Sequence, residues 1–102
     1  MSKHYKNQRN KREKLIEDEL HGDGKIIDTF IIDKGHKNGI EKHCITENGV
    51  IIIYNAITNK LVTKLVARVG QIKRYYEDTS KEPPLYLLEL ARKHEEMGYN
   101  KQ

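Results

Sequence analysis

A chain of 102 residues, 36% hydrophobic and 33% charged, has material for one compact core and no second domain. Nineteen Lys and Arg against fifteen Asp and Glu give a net charge of +4, a mild bias toward phosphate-bearing partners. No run approaches the roughly 18 apolar residues of a membrane span, the N-terminus lacks an apolar signal core, and the lone Cys44 excludes an internal disulfide. A single cytoplasmic domain with no membrane partner is therefore expected.

Positive charge is concentrated at the start, where Lys3, His4, Lys6, Arg9, Lys11, Arg12 and Lys14 are interrupted by Glu13 alone among acids. Residues 2–20 hold no Gly or Pro and place Leu15, Ile16 and Leu20 at helical spacing. This predicts a basic N-terminal helix within 1–24, stopped by His21-Gly22-Asp23-Gly24. The β-branched run Ile26–Asp33 and the run Ile40–Thr46 read as two strands joined by a five-residue connection. Asn48-Gly49 predicts a two-residue type I′ turn into Val50–Asn55, and residues 61–68 read as a fourth strand. Four strands with short turns make an antiparallel meander, taken here as a core over 25–76. After Gly70, residues 71–77 read as a short helix or an extended tail, and 77–84 as a linker. Pro84, then Leu85, Leu88 and Ala91, predict a C-terminal helix over 85–98 ended by Gly98. The expected fold is α+β: an N-terminal helix, a four-stranded antiparallel meander and a C-terminal helix, with one sheet face left largely uncovered.

Counting turns gives the sheet two faces. A two-residue turn at Asn48-Gly49 sets Cys44 opposite Ile53 and His43 opposite Tyr54. Alternation then gathers Phe30, Ile32, Cys44, Thr46, Ile51 and Ile53 on a core face. A three-residue loop Ile57-Thr58-Asn59, with Asn59 left-handed, adds Leu61, Thr63, Leu65 and Ala67 to it. A two-residue loop would instead bury the Lys64 ammonium, which is costly. The opposite face then carries Glu41, His43, Tyr54, Lys64 and Arg68, with His36 on the adjoining loop.

That combination suits RNA cleavage without a metal, which needs a base for the 2′-hydroxyl proton, an acid for the leaving 5′-oxygen and cations for the phosphorane. Glu41 or His43 can be the base and His36 or His43 the acid, with Arg68 and Lys64 or Arg74 as a phosphate clamp. Paired charges on a sheet face are also ordinary solvated surface. His4, His21 and His94 read as surface residues. His36, His43 and Cys44 offer metal donors, but no Cys-x-x-Cys pair is present and His43 and Cys44 alternate in a strand, so no metal centre is expected. No glycine-rich phosphate motif calls for a cofactor.

The order of helix and meander resembles the barnase–EndoU–colicin–RelE superfamily of small ribonucleases. Asp33-Lys34-Gly35-His36, then Gly39-x-Glu41-x-His43-x-Ile45, is similar to the first catalytic hairpin of toxins in that group. Thr63-x-Leu65-x-Ala67-Arg68-x-x-Gln71-Ile72-x-Arg74-Tyr75 is similar to the closing strand and tail of small phage and prophage proteins of the same kind. The resemblance covers 15–76 and implies base, acid, phosphate-binding and substrate-stacking roles for Glu41, His43, Arg68 and Tyr75. It implies RNA as substrate and an immunity or antitoxin protein as partner. Asp33, expected near Glu41, is a departure, because an acid beside a phosphate site is unwelcome. Two other readings stay open. One is a non-catalytic nucleic-acid-binding module using the basic first helix and Tyr75-Tyr76. The other is a phage assembly protein docking through its last helix.

Overall fold

The computed structural model describes residues 3–35 and 39–100, with the backbone alone over 3–10. The elements run α1 (Lys3–Asp18), β1 (Ile26–Asp33), β2 (Ile40–Thr46), β3 (Val50–Asn55), β4 (Leu61–Val66), α2 (Val69–Asp78) and α3 (Leu85–Met97). The strands form one antiparallel sheet in the order β1-β2-β3-β4, so the α+β meander expected from the sequence is the architecture found. No helix among the described residues is long and apolar enough to cross a membrane.

Both faces of the sheet are covered, which corrects the expectation of an open one. On one face Phe30, Ile45, Ile51 and Ala67 pack with Ile72 and Tyr76 of α2 and Leu87 and Ala91 of α3. On the other, Cys44, Val50, Ile52 and Val66 pack under Ile16, flanked by Leu15 and Leu20. The result is three layers, with α1 on one side and the α2–α3 pair on the other. The strands end at Val66, and α2 takes up most of the remaining core once assigned to the meander. Its first turn is held by Glu95 Oε2, which accepts from the Val69 amide at 2.9 Å, and by Gln71 Oε1, which accepts from the Arg68 amide at 2.9 Å. In α3 the buried residues are Leu87, Ala91 and His94; of Leu85, Leu88 and Ala91 read from the sequence, Ala91 is buried and Leu88 packs against the core, whereas Leu85 is exposed. His94, read as a surface residue, is buried against Gly49 and Tyr99.

The register of β2 is the second correction. β3 and β4 pair as counted at Ile51 opposite Leu65 and Ile53 opposite Thr63, with Asn59 left-handed at φ 61°. A bulge between Ile53 and Tyr54, however, sets Leu61 opposite Tyr54 and leaves it exposed instead of in the core. β2 is one residue out against both neighbours. Its hairpin to β3 has three loop residues, Glu47-Asn48-Gly49, with the positive φ at Gly49 alone (76°). The buried Thr46 hydroxyl accepts from the amides of Asn48 at 3.3 Å and Val50 at 3.2 Å, which closes this wider turn. Toward β1 the connection has six residues, closed by the Lys34 amide donating to the Gly39 carbonyl at 2.8 Å. Hence Cys44 faces Ile52 and His43 faces Ile53 and Phe30. A one-residue slip turns every side chain of a strand over. Glu41, His43 and Ile45 therefore join Phe30, Ile32, Ile51 and Ile53, while Cys44 and Thr46 lie on the α1 side.

Candidate active site

The turned-over β2 sends its polar residues under α2. Glu41 and His43 lie two apart on one strand, so both point to the same face and their side chains meet. Glu41 Oε1 is 2.9 Å from His43 Nε2. The other ring nitrogen, Nδ1, is hydrogen-bonded to the Tyr75 hydroxyl. Tyr75 is carried by α2 and its ring is fixed by stacking on Phe30, with centroids 5.2 Å apart and planes 24° from parallel. Phe30 in turn stands next to His43 across the β1–β2 ladder. Three elements thus converge on one imidazole.

The direction of the protons follows from the partners. A carboxylate only accepts, so Nε2 carries the hydrogen and donates it to Glu41. Nδ1 then accepts, and the Tyr75 O–H donates to it. Burial pushes the Tyr75 phenol up to about 12, the Glu41 carboxylate adds to the rise and the Arg74 guanidinium opposes it. At neutral pH the phenol keeps its proton, which matches its donor role. The chain Tyr75 to His43 to Glu41 is a hydrogen-bonded relay of the kind that activates a hydroxyl, with an acid orienting the imidazole.

The relay borders a cleft of about 290 Å³ lined by His43 and Tyr75 together with Lys34, Arg74, Gln71 and Asp78. Lys34 Nζ lies 3.8 Å from Glu41, and both Lys34 and Arg74 are exposed. His43 itself is only 7% exposed, so what a ligand in the cleft would meet is the Tyr75 hydroxyl, the two cations, Gln71 and the exposed Asp78 carboxylate.

Of the residues singled out from the sequence, Glu41, His43, Arg74 and Tyr75 are brought together. Tyr75 contributes its hydroxyl to His43 and stacks on Phe30, whereas the sequence had suggested stacking on substrate. Tyr54 and Lys64 lie on the α1 side of the sheet: Lys64 pairs with Asp23 at 2.8 Å, and Lys42 sits 5.2 Å above the Tyr54 ring. Arg68 caps α2 beyond the end of β4 and donates to the Asn100 carbonyl at 3.0 Å, away from His43. His36 lies outside the described residues. Asp33 turns to the side opposite Glu41, since Ile32 is the residue paired with Glu41, and its carboxylate accepts from the Gly35 amide at 2.8 Å. The acid feared beside the cleft is therefore engaged elsewhere. Lys34 was not anticipated, although it directly follows the strand that pairs with Glu41. No family model, curated protein or solved structure matches the chain.

Proposed function

We propose that this chain is a small endoribonuclease that cleaves RNA by general acid–base chemistry, with Tyr75, His43 and Glu41 as the proton path and Lys34 and Arg74 as the phosphate clamp. The reading rests on one observation: a three-membered hydrogen-bonded relay ends in a hydroxyl at a cleft that also bears two exposed cations. RNA supplies its own nucleophile, so the protein has only to move protons and stabilise charge. The Tyr75 oxygen takes the 2′-hydroxyl proton as its own passes to His43 Nδ1, and the Glu41 carboxylate stabilises the resulting imidazolium. The 2′-oxygen bonds to phosphorus and the bond from phosphorus to the 5′-oxygen breaks. Water at the mouth of the cleft protonates that leaving oxygen, and the relay returns its proton to the hydroxide so formed. The products are a 2′,3′-cyclic phosphate and a free 5′-hydroxyl. The roles parallel those implied by the resemblance to the barnase–EndoU–colicin–RelE superfamily, with Tyr75 recast from stacking platform to proton carrier.

Incubation with labelled RNA in EDTA tests the proposal: fragments ending in 2′,3′-cyclic phosphate are expected, formed about 10²- to 10⁴-fold more slowly with Tyr75→Phe. No cleavage by the unaltered chain, or cleavage only with added metal, overturns it. A second reading, a nucleic-acid-binding module without catalysis, is favoured by the depth of His43, both of whose nitrogens are satisfied within the protein. RNA binding unaccompanied by cleavage decides for it.

A further inference from the structure

A second and larger recess adjoins the relay cleft. It measures about 470 Å³ and lies where α1, the start of α2 and the end of the described chain meet. Three guanidiniums line it, from Arg12, Arg68 and Arg74. Arg74 and Gln71 line both recesses, so the two are neighbours across one turn of α2.

Part of the polar lining is unsatisfied, although the Arg68 guanidinium donates to the Asn100 carbonyl at 3.0 Å. Among the described residues none of the three arginines is in an ion pair. The Nε of Arg12 is buried without a hydrogen-bond partner, and so is Oδ1 of Asn100, a residue only 5% exposed. The Asn100 amide nitrogen is committed to the Val66 and Ala67 carbonyls, which fixes the side chain at this wall. One carboxylate, Glu95, is present, and its Oε2 is held by the Val69 amide. Cations crowded together with unpaired buried polar atoms are unfavourable alone and become favourable around an anion that also offers hydroxyl groups. A sugar–phosphate unit has both.

We infer that this recess binds a backbone phosphate of the same RNA strand, next to the one at the relay, so that the substrate is a single strand extended across Arg74 toward Arg68 and Arg12. The inference rests on the proposed ribonuclease reading for the identity of the strand, while binding at the recess is independent of cleavage. Guanidinium forks match phosphate oxygens in pairs, and a strand following the groove gains affinity with each phosphate neutralised. The recess also gives the basic N-terminal helix a task, because Arg12 belongs to it.

The test uses the full chain and a fluorescent 2′-O-methyl oligonucleotide of about ten nucleotides, which binds but cannot be cut. Arg12→Gln and Arg68→Gln are each expected to weaken binding about tenfold at low salt and to reduce the salt slope by about one. Gly70→Asp is the control for folding. The site of its Cβ is open space, and an acid in the first turn of α2 favours the helix while repelling phosphate, so it should bind weakly although well folded. Lys60→Gln, which removes an exposed cation that lines neither recess, should bind within about twofold of the unaltered chain. Unaltered affinity in the two arginine variants and in Gly70→Asp overturns the inference. Arginine-dependent binding in a chain that cuts no RNA upholds the recess and overturns the ribonuclease reading instead.

Discussion

The hydroxyl of Tyr75 is the residue-scale feature with the sharpest consequences. Removing it as Tyr75→Phe leaves His43 Nδ1 without its donor, at a stability cost of about 1–3 kcal/mol, since an unpaired buried acceptor is not rehydrated. If the phenol carries the proton, RNA cleavage falls by about 10²- to 10⁴-fold, far more than a folding defect of that size produces. Parallel melting and single-turnover cleavage measurements separate the two effects. His94 offers a second test at this scale. Burial and the neighbouring Lys93 charge hold its imidazole below the ordinary histidine range. The unfolded chain therefore binds a proton near pH 6.5 that the folded chain still refuses, and stability is lost as pH falls through that value toward the lower folded one. The loss stops once both states are protonated. In thermal melts from pH 7.5 to 5, His94→Gln should show a shallower decline than the unaltered protein. Equal slopes would mean that His94 is not responsible.

At the scale of elements, β2 explains both what could be read from the sequence and what could not. The strands announce themselves through β-branched runs, and the β3–β4 register followed from refusing to bury Lys64, which indeed stays half-exposed beside Asp23. β2 carries no such veto. Its sequence Ile-Glu-Lys-His-Cys-Ile-Thr has apolar residues of both parities, so either face could be buried with similar penalty. Turn length then decides, and Asn-Gly permits both a two-residue turn and a three-residue turn with Gly alone left-handed. The Thr46 hydroxyl tips the balance through two amide bonds that no local propensity encodes. Glu41 and His43 were thus legible as a pair, because two apart on any strand is one face, but their companions were not. Tyr75 reaches them through tertiary packing of a helix more than thirty positions away. Gly49 is the weak point of the turn. Alanine there is strained by the 76° φ, and its Cβ would lie 3.4 Å from the His94 ring, so Gly49→Ala should cost about 1–3 kcal/mol in chemical denaturation.

At the scale of the molecule, the sheet is a partition between two small cores. Each is modest, as a chain that is one-third charged requires, and each depends on one layer of helix. The α1 core has Ile16 as its buried helical contact, and truncation to alanine leaves a cavity against Cys44, Val50, Ile52 and Val66. Ile16→Ala should cost about 2–4 kcal/mol, a large part of the stability of so small a domain, and should lower the melting temperature by more than about 8 °C. The sequence showed this helix and its apolar residues but not which face it would cover, since nothing local says on which side of a sheet a helix folds back.

The Asn48 side chain donates to the carbonyls of Leu20 at 3.2 Å and Gly22 at 3.1 Å, pinning the chain just after α1 to the turn between β2 and β3. Mechanically, α1 is a beam clamped at one end, and the clamp is the same three-residue loop that sets which way β2 presents Glu41 and His43. Arg12 rides on the beam. A single loop therefore aligns both the proton path and the arginine of the second recess, although they lie on different layers. One residue gained or lost at Asn48 would misalign both at once.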